Sequence, residues 1–199
     1  VDDQIMYQKL ENEDKILDSI TDDVLCFSLR LGYNINYRYL DNTYFTLNRS
    51  LVNKVNNFIT WDRREQPQDF NYFFSVDSHI YYYKDIEMLI KPLNYNNPNT
   101  FEASLHSQIN FPKYRFVSYE HSKMVNLPIN RVQESHLINP LFNNRFGTQI
   151  NISEKQLNDR FLNGEIIDYK NMDFSNNINS CHVELPVLFK KEKKLDLYF

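Results

Sequence analysis

The side chains able to do chemistry in this chain are few and dispersed. Nucleophilic catalysis needs a Ser or Cys beside a His and an orienting acid, and Cys181-His182 is the one pair of direct neighbours. On an extended chain adjacent side chains point to opposite faces, so this pair cannot cooperate within one strand. Cys26 and Cys181 are too few to frame a fold and match no zinc spacing, and both read as buried thiols. The histidines, His79, His106, His121, His136 and His182, lie far apart, and none belongs to an HExxH pattern. Glu120-His121, Glu134-Ser135-His136 and His182-Val183-Glu184 set an acid near an imidazole. Only the last two bring both groups to one face of an extended chain, and solvated pairs account for them. The expectation is therefore no catalytic set, no metal centre and no cofactor.

Two further groupings resemble binding or catalytic sets in composition. Asp77, Lys84, Asp85, Glu87 and Lys91 supply the carboxylates and lysines that metal-dependent nucleases use. Each also has a structural role: Asp77 suits a hairpin turn, Asp85 a helix cap, and the lysines solvent. Arg63 and Arg64 follow Trp61, while Lys190, Lys191, Lys193 and Lys194 adjoin Phe189, a mixture of cations and rings that suits single-stranded nucleic acid. Asp62 and Glu65 offset the first cluster, and Glu192 divides the second. Gly32, Gly147 and Gly164 are isolated from one another, so neither a P-loop nor a GxGxxG turn can form. Asn48-Arg-Ser50 and Asn151-Ile-Ser153 fit the glycosylation sequon, as a chain with 26 Asn does by chance.

The elements that must carry these residues alternate between two periods. Met6, Leu10, Leu17 and Ile20 recur at helical spacing, with Glu11, Glu13, Asp14 and Asp18 elsewhere, and predict a helix with an acidic exposed face. Leu25, Phe27, Leu29 and Leu31 then alternate with Cys26, Ser28 and Arg30 as a half-buried strand does. NINYRYL and YFTL flank Asp41-Asn42-Thr43 as a hairpin. Leu51, Val52, Val55, Phe58 and Ile59 predict a second helix ending near Trp61, followed by a polar loop. FNYFFSV and HIYYY read as two strands joined at Asp77-Ser78. KDIEMLIK reads as a short helix stopped by Pro92, and NYNNPNT as a loop. KYRFVSY is a strand candidate, and residues 124–145 carry prolines and no sustained period. The strongest local signal lies at 152–164, where Ser153 and Gln156 form a capping box, Ile152 and Leu157 a hydrophobic staple, and Asn163-Gly164 a left-handed stop. CHVELPVLF alternates again, with Val183, Leu185, Val187 and Phe189 on one face, before KKEKK and LDLYF.

These patterns predict an α+β fold of antiparallel sheets with three or four short helices and an aromatic-rich core. One domain spanning 1–199 is expected, with 92–100 as the place for a joint between two lobes. At 199 residues the chain buries a core without disulfide or metal staples. A net charge of −4 supplies no general field for nucleic acid or an anionic bilayer. The opening VDDQIMYQKLENEDK lacks the basic start and apolar core of a signal peptide, and Val1 in place of an initiator Met is expected to mark a processing boundary. No stretch is long and apolar enough to span a bilayer. The excess of Asn, Tyr and Phe over Gly and the single Ala103 points to an A/T-rich genome.

With 14 Tyr and 15 Phe, aromatics occupy both faces of segments such as NYFFSVDSHIYYY, and interfaces are enriched in such residues. The function expected is a soluble, non-catalytic, structural subunit acting by protein–protein interaction within a larger assembly, such as a virion or a bacterial secretion or injection machine. Its partners are other protein subunits, copies of itself among them, and its location the virion or cytoplasm. An enzyme or binding protein acting on nucleic acid, nuclease-like or specific for single strands, is the alternative. The expected partner-binding residues are Val187, Phe189, Leu195, Leu197 and Phe199, because the alternation before KKEKK resumes with the same parity after it.

Overall fold

The computed structural model of the chain describes residues 4–107, 111–127, 152–175 and 178–192. They form an α+β fold built on a five-stranded sheet. Its edge is the hairpin of β5 (Val52–Val55) and β6 (Phe58–Asp62), followed by β8 (Arg115–Tyr119), β2 (Val24–Ser28) and β7 (His79–Tyr81). Every neighbouring pair is antiparallel except β2 with β8, which run parallel. The antiparallel expectation is corrected at that one pair: the long chain between β2 and β8 permits the crossover that a parallel pair requires. Two-stranded ribbons join β1 (Gln4–Met6) to β9 (Met124–Asn126), β3 (Tyr37–Arg38) to β4 (Thr43–Tyr44), and β10 (Glu165–Ile167) to β11 (Phe189–Lys191).

The central strands β6, β8 and β2 are buried on both faces. On one, Leu25, Ile59, Trp61 and Phe116 pack with Phe70, Phe73, Phe74 and Leu105, and with Leu89 of α1 (Tyr83–Ile90). Leu105 belongs to α2 (Pro98–His106). On the other, Phe27, Phe58, Val117 and Tyr119 lie under Ile16 and Ile20. The rings of Phe27, Phe58 and Tyr119 meet edge to face, with centroids 4.9 to 5.3 Å apart. A bulge between Val24 and Cys26 breaks the alternation expected for β2, so Leu25 and Cys26 share one cluster while Val24 and Phe27 enter the other. All five residues of β2 are buried, not alternate ones.

Several local expectations are overturned. The segment expected as a first helix forms β1 and, after Asn12 at a left-handed φ of 54°, two 3-10 turns, Glu13–Lys15 and Leu17–Ser19. The spacing of Ile16 and Ile20 serves to cover a sheet face. The second expected helix is the β5–β6 hairpin, closed by Asn56 at φ 57° and Asn57, with Val55 opposite Phe58. β-branched Val52, Val55 and Ile59 suit that ladder at least as well as a helix. FNYFFSV forms no strand, and its Phe73 and Phe74 fill the core. The loop expected through residue 100 instead opens α2, because Asn97 and Thr100 form a capping box with Pro98 in the first turn. The hairpin at 37–44, the helix ending before Pro92 and the strand within 113–119 occur as the residue patterns indicate. So does the capping-box helix, α3 (Glu154–Leu162). In the described chain of 183–188 no strand forms, and pairing begins at Phe189.

Candidate functional site

Titratable side chains gather where several separated segments meet. Arg30, two residues beyond β2, is almost fully buried, and its guanidinium Nη1 lies 3.5 Å from Asp77 Oδ2. Asp77 stands in the turn before β7, where Ser78 takes a left-handed φ of 52°. His182 is delivered by a bridge between Asn126 at the end of β9 and His182, and its Nε2 lies 3.6 Å from the same Asp77 oxygen. Gln4 of β1 donates to Asp77 Oδ1 at 3.1 Å and accepts from the Ser78 hydroxyl at 2.5 Å. Glu102 on α2 accepts from the Val76 amide at 3.2 Å. Tyr39 donates to Glu184 and stacks on His182 with ring centroids 6.2 Å apart.

Gly32 makes this convergence possible. A Cβ there would sit 2.6 Å from the Ser122 amide nitrogen, and Asn34 uses the close approach to bond that amide, the Ser122 hydroxyl and the Ile178 carbonyl.

Electrostatics sort the cluster into fixed charge states. Burial works against charge on Arg30, but the carboxylates of Asp69, Asp77 and Glu102 outweigh it and hold the guanidinium charged. Burial likewise opposes ionisation of Asp77, and the His182 bond with the Arg30 charge overcomes it, bringing its pKa down to about 2. Burial pushes Glu102 up. The His79 ring packs beside those of Tyr81 and Phe116, at 5.9 and 6.0 Å, with both its nitrogens shielded from solvent. Burial, then the Arg30 charge, lowers its pKa to about 3, so it is neutral at pH 7. Burial raises both thiols. Cys181 Sγ donates to the Arg30 carbonyl at 3.7 Å, while the neighbouring His182 faces Asp77. What this arrangement does chemically is hold a buried guanidinium by a carboxylate and pin the chain near 182 to the sheet. It presents no activated nucleophile.

The other sequence candidates are dispersed. Asp85 pairs with Lys113 at 2.7 Å and Glu87 with Lys91 at 3.0 Å, apart from Asp77 in its network. Trp61 and Arg63 are buried, leaving Arg64 at the surface, bound to Asp62 and 3.9 Å from the Tyr114 ring centroid. Lys190 pairs with Asp168 and Lys191 with Glu165. His106 stacks on Tyr72, and Glu134, His136, Lys193 and Lys194 lie outside the described residues. Among the described residues no group of three His, Cys, Asp or Glu is placed to hold a metal ion, and no helix is long and apolar enough to cross a membrane.

Of the expected partner-binding residues, Val187 is half-buried with Val183 and Leu185 against Leu127 and Met172. Phe189 lies in β11 opposite Ile167, with the Arg160 guanidinium 4.2 Å above its ring centre. Leu195, Leu197 and Phe199 lie outside the described residues. β11 is tied to the end of α3, since Lys191 donates to the Asn163 carbonyl and the Glu192 amide to that of Gly164, each at 2.9 Å. Around this unit Leu162 is 72% exposed, and Phe161, Tyr169 and Leu188 are exposed as well. Sequence reasoning missed Arg30, Asp77 with His182, and Tyr39 with Glu184 as groups that meet. The one signal present was an arginine within the otherwise apolar run LCFSLRL.

No family model, curated protein or solved structure matches the chain.

Proposed function

We propose that the protein is a non-catalytic interaction subunit of a larger protein assembly, and that it meets other subunits, copies of this chain among them, through the unit formed by α3, β10 and β11. The observation that carries this reading is the apolar surface there. α3 buries Leu157 only in part and turns Phe161 and Leu162 outward, beside exposed Tyr169 and Leu188. A helix whose apolar residues face water on a short ribbon is stabilised by a covering partner. β10 and β11 pair only with each other among the described residues, so each also offers an open edge for strand addition. Val187 and Phe189 belong to the same unit, and Leu195, Leu197 and Phe199 follow it in sequence. The A/T-biased composition directs the proposal toward a virion or a bacterial secretion machine.

Light scattering on the purified chain tests it. The wild type is expected at a multiple of the 24.0 kDa chain mass, and Leu162→Asp at the single-chain mass. Because Leu162 is mostly exposed, that variant should keep its stability within about 0.5 kcal/mol. A wild type that stays monomeric at every concentration, or one that cleaves nucleic acid when given a divalent cation, overturns the reading.

A further inference from the structure

The sequence holds 26 Asn, and of these Asn163 alone precedes a glycine. That neighbour matters chemically. A glycine has no Cβ to shield its backbone nitrogen and turns freely about its own bonds, so the nitrogen can reach the side-chain carbonyl of the residue before it. Asn163 caps α3 and is exposed, and its side chain makes no hydrogen bond with a described residue. The backbone around it is held instead. The Gly164 amide donates to the Phe161 carbonyl, Lys191 Nζ to the Asn163 carbonyl and the Glu192 amide to the Gly164 carbonyl, each at 2.9 Å. A ψ of 10° at Asn163 sets the Gly164 nitrogen beside the residue's own amide and not beside its Cβ, where ring closure needs it. The closed cap therefore keeps the two reacting atoms apart. It belongs to a helix of 9 residues, a length that is marginal without its tertiary contacts.

We propose that Asn163-Gly164 is a self-modifying site, closed while α3 is formed and open to reaction when the helix melts. The Gly164 nitrogen bonds to Asn163 Cγ, and the side-chain nitrogen leaves as ammonia with the proton displaced from Gly164. Water then opens the resulting cyclic imide at either carbonyl, giving aspartate or isoaspartate. Both products place a carboxylate at the C-terminal end of α3, where the helix dipole opposes it. Isoaspartate also adds a carbon to the main chain between the Phe161 and Glu192 bonds, so the end of α3 and β11 no longer meet in register. Neither the site nor its gate depends on the reading of the protein as an interaction subunit.

Mass spectrometry of the full chain, aged in neutral buffer and then cut with trypsin, tests this on the peptide 161–170, in which Asn163 is the sole asparagine. Conversion of its amide to the acid is expected at least about tenfold faster in the urea-unfolded chain than in the folded one, because reaction waits for local opening. Ser153→Ala removes the cap at the far end of the helix without touching the reacting atoms. It should speed conversion in the folded chain about fivefold and leave the unfolded rate unchanged, with circular dichroism confirming that the variant folds. Asn163→Gln should remove the signal. Absence of conversion in the unfolded chain, equal rates in the two states, or a folded-state rate indifferent to Ser153→Ala overturns the proposal.

Discussion

His79 shows how a single residue ties stability to pH. Its imidazole is neutral in the fold because burial and the Arg30 charge hold its pKa near 3, whereas in the unfolded chain it takes a proton at about 6.5. The folded pKa is depressed, so the unfolded state binds more protons between those values. Stability is therefore complete above pH 6.5 and is lost as pH falls, by about 1.4 kcal/mol per unit from this residue. Asp77, at about 2, adds a loss of the same sign only below the ordinary carboxylate range. His79→Phe keeps the ring contacts with Tyr81 and Phe116 and removes the titration. Urea unfolding at pH 7 and pH 5 should show a wild-type loss from His79 of about 2 kcal/mol that the variant lacks. Equal losses in the two proteins would place the acid sensitivity elsewhere. The enclosure of the His79 ring is not recognisable from its sequence neighbours, and Arg30 shows only as an arginine in a mostly apolar run, because the carboxylate that lets its charge be buried is supplied by a distant turn.

At the scale of elements, α3 and the β5–β6 hairpin mark opposite ends of legibility. The capping box and the Asn163-Gly164 stop of α3 are contacts within a few residues, so they form as their spacing indicates, with Ser153 accepting from the Gln156 amide and Gly164 left-handed at φ 74°. In the hairpin the same apolar positions satisfy a helical period and a two-stranded register, and local spacing does not choose between them. Pairing of β6 with β8 chooses, by burying Phe58, Ile59 and Trp61 on the two faces of a sheet. The turn then depends on Asn56 at φ 57°. Asn56→Val should cost about 1 to 2 kcal/mol, since a β-branched side chain resists the left-handed region, and Asn56→Gly should be tolerated. Chemical denaturation of the two variants checks this. A Val variant as stable as the Gly variant would mean that the turn carries no left-handed residue.

Across the whole molecule the two thiols report on cooperativity. Cys26 lies in β2 between β8 and β7, and Cys181 lies buried against Arg30, in segments far apart in sequence. Burial raises both above the ordinary thiol range, so neither is a thiolate in the fold. Both should react with an aromatic disulfide reagent only as the protein unfolds, with a common dependence on urea. Rapid labelling of Cys181 alone in native buffer would show that the chain near 182 opens separately from the sheet. The hairpin at 37–44, the caps of α3 and the mixed α+β class are determined by the sequence itself, because each rests on a residue's own conformational preference or on contacts one turn away. The parallel pairing of β2 with β8 was decided only by the tertiary structure, as were the bulge that splits β2 between two cores and the meeting of Arg30, Asp77 and His182. These join residues distant in sequence, whose attraction counts only once packing has excluded water and brought them within a few ångströms.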